Sequence, residues 1–227
     1  MTALLIPFFS VVLGLIIGFL YKPKKKTGLK LLLAFSGAFL LSLTVLHLLP
    51  EIYSRSYESE YSTIGLLIMS GILLQIILEY FSKGAEHGHV HGGKSMTRVP
   101  LILAVSLGIH ALIEGIPVAA ESELAWGIAV HHLPIAVILT QFFRQAHLSN
   151  TVVILFMLGF AVATPLGTFL ASNLQQIQSL QHYFSAVVVG ILFHISSTII
   201  FETSENHKFN FAKLLAIILG IVFGYIL

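Results

Sequence analysis

Eight apolar stretches of about 20 residues constrain this chain more than any other feature, because a helix of that length crosses the roughly 30 Å hydrocarbon core of a bilayer. They lie near Ala3–Leu20, Leu29–Leu49, Thr63–Phe81, Pro100–Ala120, Ala125–Phe143, Thr151–Ser172, Phe184–Phe201 and Phe211–Leu227. The residues between them are too few for a separate soluble domain. We therefore predict an all-α membrane protein with eight transmembrane helices, forming one domain over residues 1–227.

The composition excludes several other classes of protein. Charged residues make up only 10% of the chain, against about 25% in a soluble domain, which excludes a cytosolic enzyme. The net charge of +2 is too small to indicate a nucleic-acid partner. The chain contains no cysteine, so disulfides, thiolate metal sites and cysteine nucleophiles are excluded as well. Eleven histidines in such an apolar chain remain to be explained.

The positions of the basic residues predict the orientation in the membrane. The first span has no Lys or Arg before it and no small-residue cleavage site, so it is interpreted as a span with an outside N-terminus and not as a signal peptide. Eight spans then place almost all basic residues in the inside segments: Lys22, Lys24, Lys25, Lys26, Lys30, Lys83, Lys94, Arg98, Arg144, Lys208 and Lys213. Only Arg55 is outside, as the positive-inside rule requires. We expect both termini outside.

The longest inside loop, residues 82–99 between spans three and four, carries Glu86, His87, His89 and His91 in the segment EHGHVHGG. Histidines that alternate with small residues in a polar, glycine-rich tract are typical of weak metal binding. The competing interpretation is a solvated linker with incidental histidines. We expect His87, His89 and His91 to contact metal on the cytoplasmic side.

Spans four and five concentrate the ionisable groups inside the membrane. His110 and Glu114 are spaced i, i+4 and share a helix face, and span five carries His131 and His132. Each such group costs about 2.5–3.5 kcal/mol on insertion scales, so each is a candidate functional residue. The two spans are antiparallel neighbours joined by a short loop, so the four side chains can surround one ion.

Adjacent residues on a helix diverge by about 100°, so two inward histidines at 131 and 132 would require local distortion. Pro117 in span four and Pro134 in span five each free a carbonyl group four residues earlier. Irregular backbone at membrane depth occurs where it is buried or lines a wet cavity. We therefore expect distorted helices around the histidines.

Imidazole nitrogens and a carboxylate oxygen suit borderline divalent metals, zinc first, then Fe²⁺, Mn²⁺, Co²⁺, Ni²⁺ or Cd²⁺. Glu114 offsets only part of the charge of a dication, which favours release as well as binding. The competing interpretation is a hydrogen-bonded pair that joins two helices without metal.

Other polar groups lie toward the ends of the spans. His47 and Glu51 are spaced i, i+4 near the outside surface, where they are candidates for a capture site or, alternatively, a solvated pair. Glu79 and Glu202 lie toward the cytoplasmic ends of spans three and seven, and we expect either solvation or contact with departing metal. His194 is alone in its span and is expected to be a packing residue.

The chain resembles the ZIP (ZRT/IRT-like) divalent metal transporters over essentially its whole length. The motifs are HLLPE in span two, HALIEG in span four, HHLP in span five and TPLG in span six, together with eight spans, outside termini and a His-bearing loop. The resemblance implies passage of metal into the cytoplasm and an elevator-like movement of one helix bundle against another. It also implies that His110, Glu114, His131 and His132 occupy ligand positions.

Two departures from the family pattern bear on the number of metal ions. Ala111 stands where the family usually has a small polar ligand, and Ile135 stands where many members have a carboxylate or histidine. The resemblance therefore implies one dominant site here and not a two-metal centre.

The leading hypothesis is a divalent metal transporter, most simply for zinc, in a bacterial cytoplasmic membrane. The metal is the transported ion, and no prosthetic group and no enzymatic activity are expected. The partners are divalent metal ions and the lipid bilayer, and a homodimer is left open. An intramembrane zinc-dependent hydrolase is the alternative, although no HExxH motif occurs. A metal sensor without transport is a third hypothesis.

Overall fold

The computed structural model describes residues 2–20, 27–82, 99–202 and 211–227, and within these ranges all regular secondary structure is helical. The α-helices are α1 (Thr2–Leu20), α2 (Thr27–Leu43), α3 (Leu49–Ser54), α4 (Tyr61–Ser82), α5 (Leu101–Glu114), α6 (Leu124–Gln145), α7 (Asn150–Asn173), α8 (Gln175–Ser179), α9 (Gln181–Glu202) and α10 (Phe211–Ile226). A π-helical turn (Thr44–Leu48) joins α2 to α3, and 3₁₀ turns occur at Glu58–Glu60 and Pro117–Ala119.

Six helical segments of the described chain are long and apolar enough to cross a membrane: Thr27–Ser54, Glu58–Ser82, Leu101–Ala119, Leu124–Gln145, Asn150–Asn173 and Gln181–Phe201. This confirms the prediction of an all-α, multi-pass membrane protein. Two further apolar stretches, Leu4–Leu20 of α1 and Phe211–Ile226 of α10, are shorter; α10 has 16 residues, about 24 Å at 1.5 Å per residue. Eight spans and outside termini therefore stay predictions.

The exposed face of α4 is apolar, as expected for a helix that contacts lipid. Leu66, Met69, Leu73 and Tyr80 are all exposed, with 58–79% of each residue's surface accessible. An apolar face of this size is rare on a soluble monomer. The hydrocarbon of a bilayer is the natural environment for it.

The helices form two groups that meet along a shared interface. In the first helix group, α1 packs against α6 and α7, and α5 packs against α7. In the second helix group, α2 packs against α10 and α9, and α4 packs against α9. The groups touch where α2 meets α6 and where α4 meets α5. The histidine-bearing helices α5 and α6 both belong to the first group.

Glycines allow close packing within each group. A Cβ atom added at Gly167 of α7 would lie 1.9 Å from the carbonyl oxygen of Leu112 in α5. One added at Gly190 of α9 would lie 1.9 Å from the carbonyl oxygen of Ile68 in α4. Membrane helices associate through such small residues because lipid tails leave no hydrophobic drive between helices. Gly115 and Gly71 make similarly close approaches from the opposite helix of each pair, so both helix pairs depend on the absence of a side chain on each side of the contact.

The second apolar span is not a uniform helix. Its π-helical turn at Thr44–Leu48 comes just before Pro50, which cannot donate a backbone hydrogen bond to the preceding turn. Such turns are rare and often lie at functional sites. This one contains His47, one of the two residues predicted for outer capture.

Candidate metal centre

The end of α5 places Glu114 at an interruption of the helix. The α-helix stops at Glu114, and a 3₁₀ turn begins at Pro117, as the missing N–H of that proline requires. The Thr168 hydroxyl of α7 donates a hydrogen bond of 2.8 Å to the carbonyl oxygen of Gly115. The distortion expected in span four is observed. One of the backbone carbonyl groups that lose a helical partner there accepts a hydrogen bond from α7.

Three of the four predicted ligands form one compact buried group. His110, Glu114 and His131 each offer a ligand atom, and these atoms all lie within 4.8 Å of one another. The Nε2 atom of His110 is 3.1 Å from Oε1 of Glu114. None of the three residues exposes more than 1% of its surface. Two imidazoles and a carboxylate thus converge inside an apolar bundle.

His132 contacts the other oxygen of the same carboxylate. Its Nε2–H donates a 3.1 Å hydrogen bond to Oε2 of Glu114, and its ring centroid lies 5.1 Å from that of Phe160 in α7. Within the described ranges, no hydrogen-bond partner reaches its Nδ1 atom. His132 therefore lies against the carboxylate but outside the compact group of three.

The distortion expected in span five is absent. α6 continues as an α-helix from Leu124 to Gln145, with Pro134 inside it. His131 and His132 diverge as adjacent helical residues do, and their ring centroids are 5.8 Å apart. Both nevertheless reach the neighbourhood of Glu114: His132 through its hydrogen bond to Oε2 and His131 through a ligand atom within 4.8 Å. No distortion of α6 is needed for this arrangement.

Sequence reasoning missed Gln75 of α4. Its side chain is fully buried, and its Oε1 atom accepts a 3.2 Å hydrogen bond from Nδ1–H of His110. The available signal was an amide in the middle of an apolar span. The spacing of residues within one span does not predict which residue of another span Gln75 contacts.

At the predicted outer end of the bundle, His47 and Glu51 contact other residues. Nε2–H of His47 donates a 3.1 Å hydrogen bond to the carbonyl oxygen of Gly224, and its Nδ1 is 3.8 Å from Oε2 of Glu123. Arg55 forms an ion pair with Glu51. The capture site stays a prediction, and the structure adds Glu123 to its neighbourhood.

Glu121 brings a further carboxylate to this outer end. Its Oε1 atom lies 3.4 Å from Nη2 of Arg55, so the guanidinium bridges Glu121 and Glu51. Partial burial and the negative charge of Glu51 raise the pKa of the Glu121 carboxyl above its usual range, against the lowering effect of Arg55. A shallow pocket lies here, lined in part by Glu51, Arg55, Glu121 and His182.

Toward the predicted cytoplasmic side, Glu79 is paired with a histidine. Nε2–H of His194 in α9 donates a 2.6 Å hydrogen bond to Oε2 of Glu79. The two side chains are only about one-fifth exposed. His194 thus joins α9 to α4 through a hydrogen bond, and its role as a packing residue stays a prediction. His87, His89 and His91 lie outside the described residues, as does the side chain of Glu202 at the end of α9.

The chain matches no protein-family model, and no curated protein matches it. The geometry and chemistry of the buried group are therefore the basis for any assignment of function.

Proposed function

We propose that this protein transports a divalent metal cation, with zinc as the first candidate, across a membrane into the cytoplasm. The observation that supports the proposal is the convergence of His110, Glu114 and His131 within 4.8 Å in a fully buried position. Ionisable groups inside a membrane bundle typically mark a pathway for ions or substrates. The motif resemblance to ZIP transporters supports the same conclusion.

The donor set suits zinc in both chemistry and size. Zinc binds histidine nitrogen and carboxylate oxygen at about 2.0–2.2 Å, usually with tetrahedral geometry. Ligand atoms around such an ion lie about 3.3 Å apart, so the group would close by at most about 1.5 Å to bind it. Rotation of the imidazole and carboxylate side chains can supply that movement. Fe²⁺, Mn²⁺, Co²⁺, Ni²⁺ and Cd²⁺ are competing cargoes.

The charge balance is suited to transport. One carboxylate neutralises half of the charge of a dication, and neutral imidazoles add nothing to that balance. His132 contacts Glu114 from the opposite side and can hold the carboxylate when the ion has left. A site of this kind binds metal without holding it permanently, as a carrier needs.

The proposed route runs from the outer carboxylates to the cytoplasmic pair. Glu51, Glu121 and Glu123 attract cations to the outer end, where His47 also lies. The buried group receives the ion, and Glu79 with His194 lies on the way toward the histidine loop. Sliding of the first helix group against the second would expose the site to each side in turn.

The test is metal flux into liposomes that contain the purified protein and a metal-sensitive dye. Wild-type protein should take up externally added Zn²⁺, and Glu114→Gln should reduce the initial rate at least tenfold, because it removes the only anionic ligand of the group. Thr140→Val is a matched control: Thr140 is a buried polar residue of α6, and no hydrogen-bond partner for its hydroxyl occurs in the described part of the chain. Its flux should equal that of wild type.

Absence of flux for Zn²⁺, Fe²⁺, Mn²⁺ and Co²⁺ would refute the transport proposal. Equal flux from wild type and Glu114→Gln would leave transport standing and refute this site. Equal losses in Glu114→Gln and Thr140→Val would indicate a general packing defect.

A further inference from the structure

In the described part of the chain, at least two hydrogen bonds cross the interface between α4 and α5. One joins Gln75 to His110, as described above. The other runs from the Ser106 hydroxyl to the carbonyl oxygen of Leu78, at 2.6 Å. Ser106 lies one helical turn before His110 and, like Gln75, is buried. The two bonds are neighbours in the same interface, but only the first touches a residue of the metal group.

The Gln75 bond favours one tautomer of His110. An amide oxygen is only an acceptor, so the 3.2 Å contact with Oε1 of Gln75 is a hydrogen bond when Nδ1 of His110 carries the hydrogen. A neutral imidazole has one N–H, and Nε2 therefore keeps its lone pair. That lone pair lies on the side of the ring where Oε1 of Glu114 is 3.1 Å away. A lone pair opposite a carboxylate oxygen is an arrangement that a cation between them would stabilise.

We propose that Gln75 is the positioning residue of the metal group: it holds the His110 ring in the orientation and tautomer that aim Nε2 at the ion. This inference rests on the proposed function, since it assigns a role within the same site. Gln75 does not touch the ion in this assignment. It acts through His110, as hydrogen-bond acceptors behind metal-binding histidines commonly do.

The location of Gln75 gives this bond a second consequence. Gln75 belongs to the second helix group, whereas His110, Glu114 and His131 all belong to the first. A movement of one group against the other would break the bond and leave the ligands together. The affinity for metal is then highest in the arrangement of the groups described here, and lower in an arrangement that separates α4 from α5.

The experiment compares Co²⁺ binding by the purified wild-type protein in detergent with binding by three variants, followed by visible absorption. Removing a partner behind a metal-binding histidine typically costs 10–100-fold in affinity. Gln75→Leu should therefore raise the Kd for Co²⁺ by 10–100-fold. Gln75→Glu keeps an acceptor oxygen at the same chain length and should restore binding to within about threefold of wild type. Ser106→Ala, the matched control, should change Kd by less than threefold.

Nitrogen NMR of the His110 ring gives a second readout, which a merely structural role would not change. In wild type without metal, Nδ1 should be the protonated nitrogen, and Gln75→Leu should shift the ring toward a mixture of tautomers. This readout needs no bound metal and is informative even when affinity is too low to measure.

Several results would overturn the inference. A wild-type Kd in Gln75→Leu would refute it, as would equal losses in Gln75→Leu and Ser106→Ala, or a wild-type ring protonated at Nε2. If wild type transports metal but Gln75→Leu binds normally, only the role of Gln75 fails. If wild type neither binds nor transports a divalent cation, the proposed function fails with it.

Discussion

The substitution Gly167→Ala tests the packing that holds Glu114 in place. A Cβ atom at this position would lie 1.9 Å from the carbonyl oxygen of Leu112, whereas ordinary contact begins at 3.4 Å. The backbones of α5 and α7 must therefore separate by about 1.5 Å. That separation would stretch the 2.8 Å hydrogen bond from Thr168 to Gly115 beyond bonding distance.

The expected cost follows from these two effects. Inserting a carbon into a close-packed interface typically costs about 1–3 kcal/mol, and a hydrogen bond between membrane helices contributes about 0.6 kcal/mol, with a maximum near 1.7. Alanine recovers about 1 kcal/mol through its higher helix propensity, so we expect Gly167→Ala to lower the free energy of unfolding by about 1–3 kcal/mol in total. Since 1.4 kcal/mol is a factor of ten, the unfolding equilibrium constant should rise at least about fivefold. Reversible unfolding in mixed micelles, followed by circular dichroism, measures this change.

Gly159→Ala is the matched control on the same helix. A Cβ atom at Gly159 meets nothing within 4 Å, and alanine favours a helix over glycine by about 1 kcal/mol. The control should therefore be as stable as wild type or slightly more stable. If Gly167→Ala unfolds like Gly159→Ala, the two helices do not approach each other as closely as described and the reasoning is refuted.

Four further predictions test the site and its surroundings. Thr168→Val should lower the free energy of unfolding by about 0.6–1.7 kcal/mol, because a carbonyl group at the end of α5 loses its donor; unchanged unfolding would contradict this. Zn²⁺ at 100 times its Kd should stabilise wild type by about 2.7 kcal/mol, measured as a rise in melting temperature, and the same rise in Glu114→Gln would refute the proposed ligand. Arg55→Gln should raise the pKa of Glu121 further and Glu51→Gln should lower it, in an NMR titration of labelled glutamate; shifts of the same sign would contradict the charge argument. Because the folded-state pKa of Glu121 is already raised, its contribution to stability should be greatest at low pH and be lost as pH rises.

The central pairing could be predicted because it depends on local geometry. His110 and Glu114 share a face at i, i+4 in any α-helix. His131 of α6 joins them, as expected for a span connected to α5 by a short loop. The prediction of a distorted α6 was wrong, because this helix is unbroken. A helical wheel cannot show that His131 joins the compact group while His132 contacts Oε2 of Glu114 from the same unbroken helix.

The contacts between helices distant in sequence could not be predicted in this way. Gln75 reaches His110 across the interface of α4 and α5, and periodicity does not determine which residues face each other there. Arg55 was interpreted only as the single outside cation. Its ion pair with Glu51 is local, at i, i+4, but its ion pair with Glu121 depends on the approach of two segments that are 66 positions apart in sequence.

The division of the site between the two helix groups links metal binding to their relative arrangement. In the proposed transport cycle, the first group carries the ligands and the second contributes the acceptor behind His110. If that acceptor changes affinity 10–100-fold, bound metal must favour the arrangement containing the Gln75 bond by the same factor, about 1.4–2.7 kcal/mol. A ligand shifts a conformational equilibrium only by its difference in affinity between the states. One buried amide is therefore sufficient to shift the equilibrium between the two arrangements when metal binds, and removing it should weaken that shift even where the ligands themselves are intact.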